Sequence, residues 1–193
     1  MHMILTPSLI LFAYLLGSIS AAIITCRIMR LPDPRSQGSN NPGATNVYQI
    51  GGKTAAAFTL LGDSFKGLIP VLLGLVLGLD QLSLSFIAFA AFIGHLYPLF
   101  FKFEGGKGVA TAFGVFIALN WKVALFILIT WLIVVKIFKL SSLGALISAL
   151  FAPLYFYLLD GSIYFTFLSL ILSLLLIYRH RSNIKNIIEG TED

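Results

Sequence analysis

An all-α protein threaded several times through a membrane is the fold class this sequence predicts, and three observations predict it. Hydrophobic residues fill 58 % of the 193 positions and charged residues only 11 %, too few to cover a soluble surface. The apolar residues gather into runs of the length that a helix needs to cross a bilayer, about 20 residues. The basic residues fall between those runs, and almost all of them fall between alternate pairs.

Seven apolar runs can be read in order, at 5–26, 54–79, 82–100, 108–119, 123–137, 143–159 and 163–178. The expectation is one compact bundle of seven transmembrane helices, a single domain over 1–193 with no separate soluble part. The fourth run is short. At about 1.5 Å per residue it covers roughly 18 Å of a hydrocarbon core roughly 30 Å thick, so it must extend at its ends or sit inside the bundle, and a five-span arrangement stays open. The second run is long and holds Asp63, Lys66 and Pro70, which predicts a kinked or tilted helix. The first run has no basic residue ahead of it and Arg27 and Arg30 behind it, the pattern of a retained helix with its N-terminus outside.

With seven spans and that start, the loops 27–53, 101–107 and 138–142 and the tail from Arg179 face the cytoplasm. Eleven of the thirteen Lys and Arg residues lie in or beside them: Arg27, Arg30, Arg35, Lys53, Lys102, Lys107, Lys136, Lys139, Arg179, Arg181 and Lys185. Lys122 is on the other side and Lys66 is within a run, while the external turns carry Asp80 and Asp160. The C-terminus is therefore cytoplasmic. The single Cys26 excludes an internal disulfide and offers no partner for a metal.

The same topology collects the unusual polar residues on the cytoplasmic face. The stretch "GSNNPGATN", 38–46, follows "LPDPRSQ" and is rich in residues that turn tightly and leave backbone N–H groups unpaired. A helix starting near Thr45 or Asn46 would add its own N–H groups, making an anion cradle from Ser39, Asn41, Gly43, Ala44, Thr45 and Asn46. A surface loop with a helix cap is the competing reading. The stretch "EGGKG", 104–108, is not a nucleotide-binding P-loop, since that motif needs Gly at 101, where Phe stands, and Ser or Thr at 108, where Gly stands. Gly105, Gly106 and Gly108 would still let backbone approach a phosphate while Lys107 supplies a compact charge at the head of the next helix. A flexible turn with a topogenic lysine competes with that.

A third stretch, "YRHRSNIKN", 178–186, follows the last run. Arg179, His180 and Asn183 would share one side of a continuing helix and can all donate to an anion, although a basic stop signal at lipid headgroups explains the same residues. Ser141 and Ser142 read as a helix cap, and His95 reads equally as an interhelical histidine or a ligand. Asp63 and Lys66 lie three apart on one helical face inside an apolar run. A structural ion pair is the favoured reading there, because an unpaired charge costs roughly 2.5 to 3.5 kcal/mol on insertion. The spacing of Gly74 and Gly78 suggests close helix packing.

Taken in order, "GSNNPGATNVYQIGGK", "GDSFKG", "GHLYPLFFKFEGGKGVATAFG", "SSLG" and "RHRSNI" resemble the PlsY family of bacterial acyl-phosphate:glycerol-3-phosphate acyltransferases over nearly the whole chain. Gln49 stands where that family commonly has a basic residue, and Glu104 replaces a frequent lysine. The resemblance implies seven transmembrane helices in the bacterial inner membrane with a cytoplasmic active site. It also implies transfer of a fatty acyl group from acyl phosphate to glycerol 3-phosphate, giving lysophosphatidic acid and phosphate, the first step of phospholipid synthesis. The His-x4-Asp signature of acyl-CoA-type enzymes is missing, since Phe100 follows His95 and Lys185 follows His180 at the fifth place.

Both substrates carry phosphate, so two anion cradles beside a lipid-accessible surface suit the reaction. No nucleophile, base and orienter are legible together. Direct attack of the glycerol 3-phosphate hydroxyl on the activated acyl carbonyl, without an acyl-enzyme, is expected. Lys107, His180 and Asn46 are the expected catalytic residues. His95, Ser142, Arg179 and Asn183 join Lys107, His180, the two glycines Gly105 and Gly106 and the 38–46 cradle as substrate ligands. Neither metal nor other cofactor is expected, and the expected partners are the bilayer and the two small substrates, with no nucleic acid and no obligate protein. A small transporter or channel for phosphate or an anionic metabolite is the alternative, disfavoured because no internal repeat is visible.

Overall fold

The computed structural model describes residues 2–192, and among them every regular element is helical. The helices are α1 (His2–Gly17), α2 (Ala21–Ile28), α3 (Ala44–Val76), α4 (Gln81–Leu96), α5 (Val109–Leu119), α6 (Trp121–Phe138), α7 (Ser141–Leu159), α8 (Ile163–Arg179) and α9 (Arg181–Glu189), with a 3-10 turn at Leu99–Phe101. Each of the seven apolar runs becomes helix. Among the described residues four helices are long and apolar enough to span, up to six when the bent pairs α1–α2 and α8–α9 each count as one, and α5 is the short run with 11 residues. Large apolar side chains lie open on the outside, among them Val76, Ile28, Phe58 and Phe167. In water such a surface would aggregate, whereas in lipid it is solvated.

Three helix breaks depart from the simple runs. The first run is two helices bent by 42°. Ser18 Oγ donates back to Tyr14 O at 2.8 Å, and Ser20 Oγ starts α2 by accepting from Ile23 N. The non-helical residue inside α3 is Gly52, with φ 75° and ψ −169°, and not Pro70. Only glycine takes that conformation without strain, so the kink falls where the Cβ is missing. The helix expected to continue through Arg179, His180 and Asn183 instead bends by 57° at His180.

The chain divides into two compact units, Met1–Ala118 and Leu119–Asp193. In the first, helices meet through small residues, the usual means of close approach in lipid. Gly17 backs onto the Ala91 carbonyl, Gly94 onto the Tyr14 carbonyl, Gly67 onto the Thr111 carbonyl and Gly114 onto the Ser64 carbonyl. Tyr14 Oη donates to Tyr97 O at 3.1 Å. A Cβ at Gly74 would meet Leu84 and Ile87, whereas one at Gly78, just past the end of α3 at φ 69°, would meet nothing within 4 Å among the described residues, so close helix approach is seen at Gly74. In the second unit, Ser148 Oγ donates to Ile127 O at 3.2 Å and Ser173 Oγ to Ala149 O at 2.6 Å, stitching α6 to α7 and α7 to α8.

Candidate active site

The polar loop ahead of α3 is organised by one side chain. Asn46 is almost completely buried, and its Oδ1 accepts from Ser39 N at 3.1 Å. Its Nδ2 faces three carbonyls, of Pro34 at 2.8 Å, Gln37 at 3.0 Å and Asn41 at 3.0 Å. The amide is fully occupied within the loop. Gly38 lies so close that a Cβ there would overlap Asn46 Oδ1, and the exposed Gln49 brings its Oε1 to 3.4 Å from the same Cβ position. Helix α3 begins at Ala44, with Gly43 as N-cap and no side chain capping it. The N–H groups of Ala44, Thr45 and Asn46 form that first turn, and the Val47 N–H is bonded to Gly43 O.

The glycine loop is shaped by what stands behind it. Gly105 and Gly106 are buried against the end of α4, where the Gly106 N–H donates to His95 O at 3.3 Å. A Cβ at Gly105 would overlap the His95 and Leu96 carbonyls. Gly108, at φ 89°, presses on the Phe92 ring, so both its conformation and its surroundings demand glycine. Lys107 is half-buried two residues before α5, whose first turn starts at Val109. The two loops adjoin: a Cβ at Gly106 would stand 3.1 Å from Pro42 O and would overlap His95 Nε2. Arg35 joins them further out. It holds Asp33 through Nε at 3.1 Å and Nη2 at 2.8 Å, and its Nη1 reaches Glu104 Oε2 at 3.0 Å. The Arg35 hydrogen bond keeps the Asp33 carboxyl below its usual range.

Behind His95 lies the ion pair read from the 63/66 spacing. Lys66 Nζ is 2.8 Å from Asp63 Oδ1, and His95 Nδ1 is 3.6 Å from the same oxygen. Lys66 Nζ also donates to Ile19 O at 2.8 Å, taking up a carbonyl in the break between α1 and α2.

The second unit carries the remaining candidates. Ser142 sits in the first turn of α7 but does not cap it, nor does Ser141. The N-cap is Leu140, no side chain caps the helix, and Ser142 Oγ is buried without a hydrogen-bond partner among the described residues. Arg179 ends α8, His180 marks the bend and Asn183 lies in the first turn of α9. His180 is 3 % exposed, with Nδ1 2.8 Å from Leu176 O. A carbonyl only accepts, so Nδ1 carries a proton and Nε2 is the ring nitrogen that can take one up. Asn183 Nδ2 donates to Glu192 Oε1.

A family model described as glycerol-3-phosphate acyltransferase matches residues 8–190. The chain belongs to the glycerol-3-phosphate acyltransferase family. It is 53 % identical over 184 residues to the glycerol-3-phosphate acyltransferase of Methylococcus capsulatus, covering 95 % of this chain and 93 % of that one. To that of Ruthia magnifica it is 50 % identical over 185 residues, covering 96 % and 94 %. Among solved structures it resembles PlsY, an integral membrane glycerol 3-phosphate acyltransferase. The glycerol 3-phosphate form of that protein matches with 38 % identity and a TM-score of 0.93, over 97 % of this chain and 94 % of that one. The lysophosphatidic acid form matches at 36 % and 0.91.

The acyltransferase is therefore a membrane enzyme, and the transport alternative falls away. In its first unit the structure brings together the 38–46 and 104–108 stretches and places His95 behind them. Sequence reasoning missed two links that do this, Arg35 to Glu104 and Asp63 to His95. The Asp33–Arg35 part was findable, since an acid two residues before an arginine in a proline-rich turn can close on it. The long-range parts had no local signal.

Proposed function

We propose that this acyltransferase takes its acyl group from acyl phosphate and passes it to glycerol 3-phosphate at the cytoplasmic face of the bacterial inner membrane. The observation that carries the proposal is the meeting of two backbone-rich loops, 38–46 and 104–108, with Lys107 beside the glycines. Such a surface suits phosphate, because N–H groups and a compact ammonium bind an anion without requiring a large pocket. The glycerol 3-phosphate hydroxyl oxygen attacks the acyl carbonyl carbon. The carbon–oxygen bond to the donor phosphate then breaks, and the hydroxyl proton goes to the departing phosphate or to His180 Nε2. The products are lysophosphatidic acid and inorganic phosphate, with no acyl-enzyme.

In this reading Lys107 holds one phosphate, and Gly105 and Gly106 let the backbone come close to it, the Gly106 N–H itself being turned back to His95 O. The first turn of α3 at Ala44 and Thr45, with Ser39, Asn41 and Gly43, offers a second cradle. Asn46 acts through the shape of that loop, since its amide is committed inside it. Ser142, Arg179, His180 and Asn183 are the further substrate ligands that this reading expects. The chain works as one domain with seven spans, N-terminus outside and C-terminus inside. The eleven basic residues in the loops assigned to the cytoplasm support that orientation, and a single family match over 8–190 supports the one domain.

Purified protein in lipid should form lysophosphatidic acid and release phosphate from acyl phosphate and glycerol 3-phosphate, and should not turn over acyl-CoA alone. Equal rates with acyl-CoA would overturn the donor assignment. Cysteines placed at Ser39, Gly106 and Ser182 in a Cys26-free background should label only from the cytoplasmic side, and one at Asp160 only from outside.

A further inference from the structure

We propose that Asp63 is a positioning residue for the glycine loop, acting through His95 with Lys66 as its countercharge. The inference rests on the reading of that loop as a phosphate cradle. Glycines carry no side chains with which to fix their own geometry, so the path of the backbone through Gly106 and into Lys107 must be set by their neighbours. His95 is the neighbour with two functional edges. Its backbone carbonyl accepts from the Gly106 N–H at 3.3 Å, and its Nε2 edge lies where a Cβ on Gly106 would be.

The opposite edge of the ring faces Asp63, with Nδ1 3.6 Å from Oδ1. That distance is longer than a hydrogen bond, so the carboxylate acts through its charge, favouring a proton on the Nδ1 edge and that edge turned toward it. Asp63 is in turn pinned by Lys66 Nζ at 2.8 Å, and Lys66 by the Ile19 carbonyl at 2.8 Å. All three side chains are at most 6 % exposed. The result is a buried line from the break between α1 and α2 to the cradle. Replacing a buried ion pair by apolar residues is often neutral for stability, so its presence here fits a task that packing alone would not need.

The test separates positioning from mere packing. Asp63→Asn with Lys66→Met removes both charges together and leaves no unpaired ion. This double variant should insert and melt close to the wild type, yet show a glycerol 3-phosphate KM raised about 10-fold with kcat changed less than about threefold. His95→Ala should give the same split, and adding it to the double variant should cost nothing more, because the two act through one path. His95→Gln, in an otherwise unchanged chain, keeps a polar group near the Gly106 side while losing Nδ1, and should share the KM defect. It serves as the second variant if the double one fails to fold. A wild-type KM in His95→Gln or in the double variant, or a combined loss equal to the product of the separate ones, would overturn the proposal. Gly106→Ala is the control for the underlying reading. If that variant keeps a normal KM the cradle itself is wrong, whereas a raised KM there with normal His95→Gln rejects only the role of Asp63.

Discussion

The two loops of the first unit are held in opposite ways. The 33–46 loop is tied from within by one buried amide, with Asn46 making all four of its bonds to the loop's own backbone. The 104–108 loop is moulded from outside, by the carbonyls of His95 and Leu96 and the Phe92 ring. The first concentrates its sensitivity in one side chain, and the second spreads it over every glycine. A loop tied from within can be specified by a local run of sequence, whereas one moulded from outside depends on a helix that precedes it.

The largest expected effect sharpens that contrast directly. A methyl at Gly105 would collide with backbone carbonyls of α4, while one at Gly43 would meet only the end of the Asn41 side chain, which can turn away. Gly105→Ala should lower catalytic efficiency by at least about 100-fold, since a loop shift of about 1 Å is enough for that. Gly43→Ala should cost less than about fivefold, since its extended backbone, φ −145°, accepts a side chain and the cradle uses only its main chain. Matched kinetics on the two variants check this, and equal losses would erase the distinction between the loops.

Lys107→Ala comes next. If the lysine makes a charge-assisted bond to phosphate, its loss should remove roughly 1.5 to 3 kcal/mol, or about 10- to 150-fold in kcat/KM. Lys107→Arg should rescue only partly, since a wide planar fork does not fit where a compact ammonium sat among glycines. A purely topogenic lysine would behave otherwise: Arg would be silent, and Ala would lower insertion and leave turnover per inserted molecule unchanged.

Asn46→Ala should act on order before chemistry. It strands a buried N–H and three carbonyls, for a stability loss of about 2 to 4 kcal/mol, and protease cutting within 33–43 should appear before any change at the glycine loop. Cleavage that spread to 104–108 at the same rate would show the two loops to be one cooperative element.

How much of this was legible in the sequence follows from what sets each feature. Bilayer thickness sets the length of most of the apolar runs, and each run is helical, the first as the bent pair α1–α2 and the fourth as the short α5. The Asn-rich and Gly-rich stretches stood out because no ordinary helix tolerates them, and the i,i+3 spacing gave away Asp63 and Lys66. Breaks placed by distant or backward hydrogen bonds were not visible. Ile19 has its carbonyl met by a lysine 47 positions on, and the His180 ring folds back to Leu176. Ser141 and Ser142 looked like caps because serine usually is one, but the chain enters α7 one residue earlier, at Leu140. The apposition of Pro42 with Gly106, and of Arg35 with Glu104, joins segments more than 60 residues apart and has no local signature.

The smallest effect tests the outer tie between the loops. Asp33 and Arg35 are both partly exposed, so the clamp is worth only about 0.2 to 1 kcal/mol, and Asp33→Asn should cost less than about fivefold in activity. Its pH dependence has a definite sign. The Arg35 hydrogen bond lowers the Asp33 pKa in the folded protein, so the clamp's stabilisation is complete above the unfolded value of about 3.9 and is lost as pH falls through the lower folded one. The stability difference between wild type and Asp33→Asn should stay constant from pH 8 to about 5 and shrink only below about 4. Melting curves of the two proteins across that range make the comparison. A difference that instead grew below pH 4 would mean that Asp33 is stabilised as the neutral acid. A 100-fold loss of activity at pH 7 would mean that Arg35 is oriented for the substrate and not merely for Glu104.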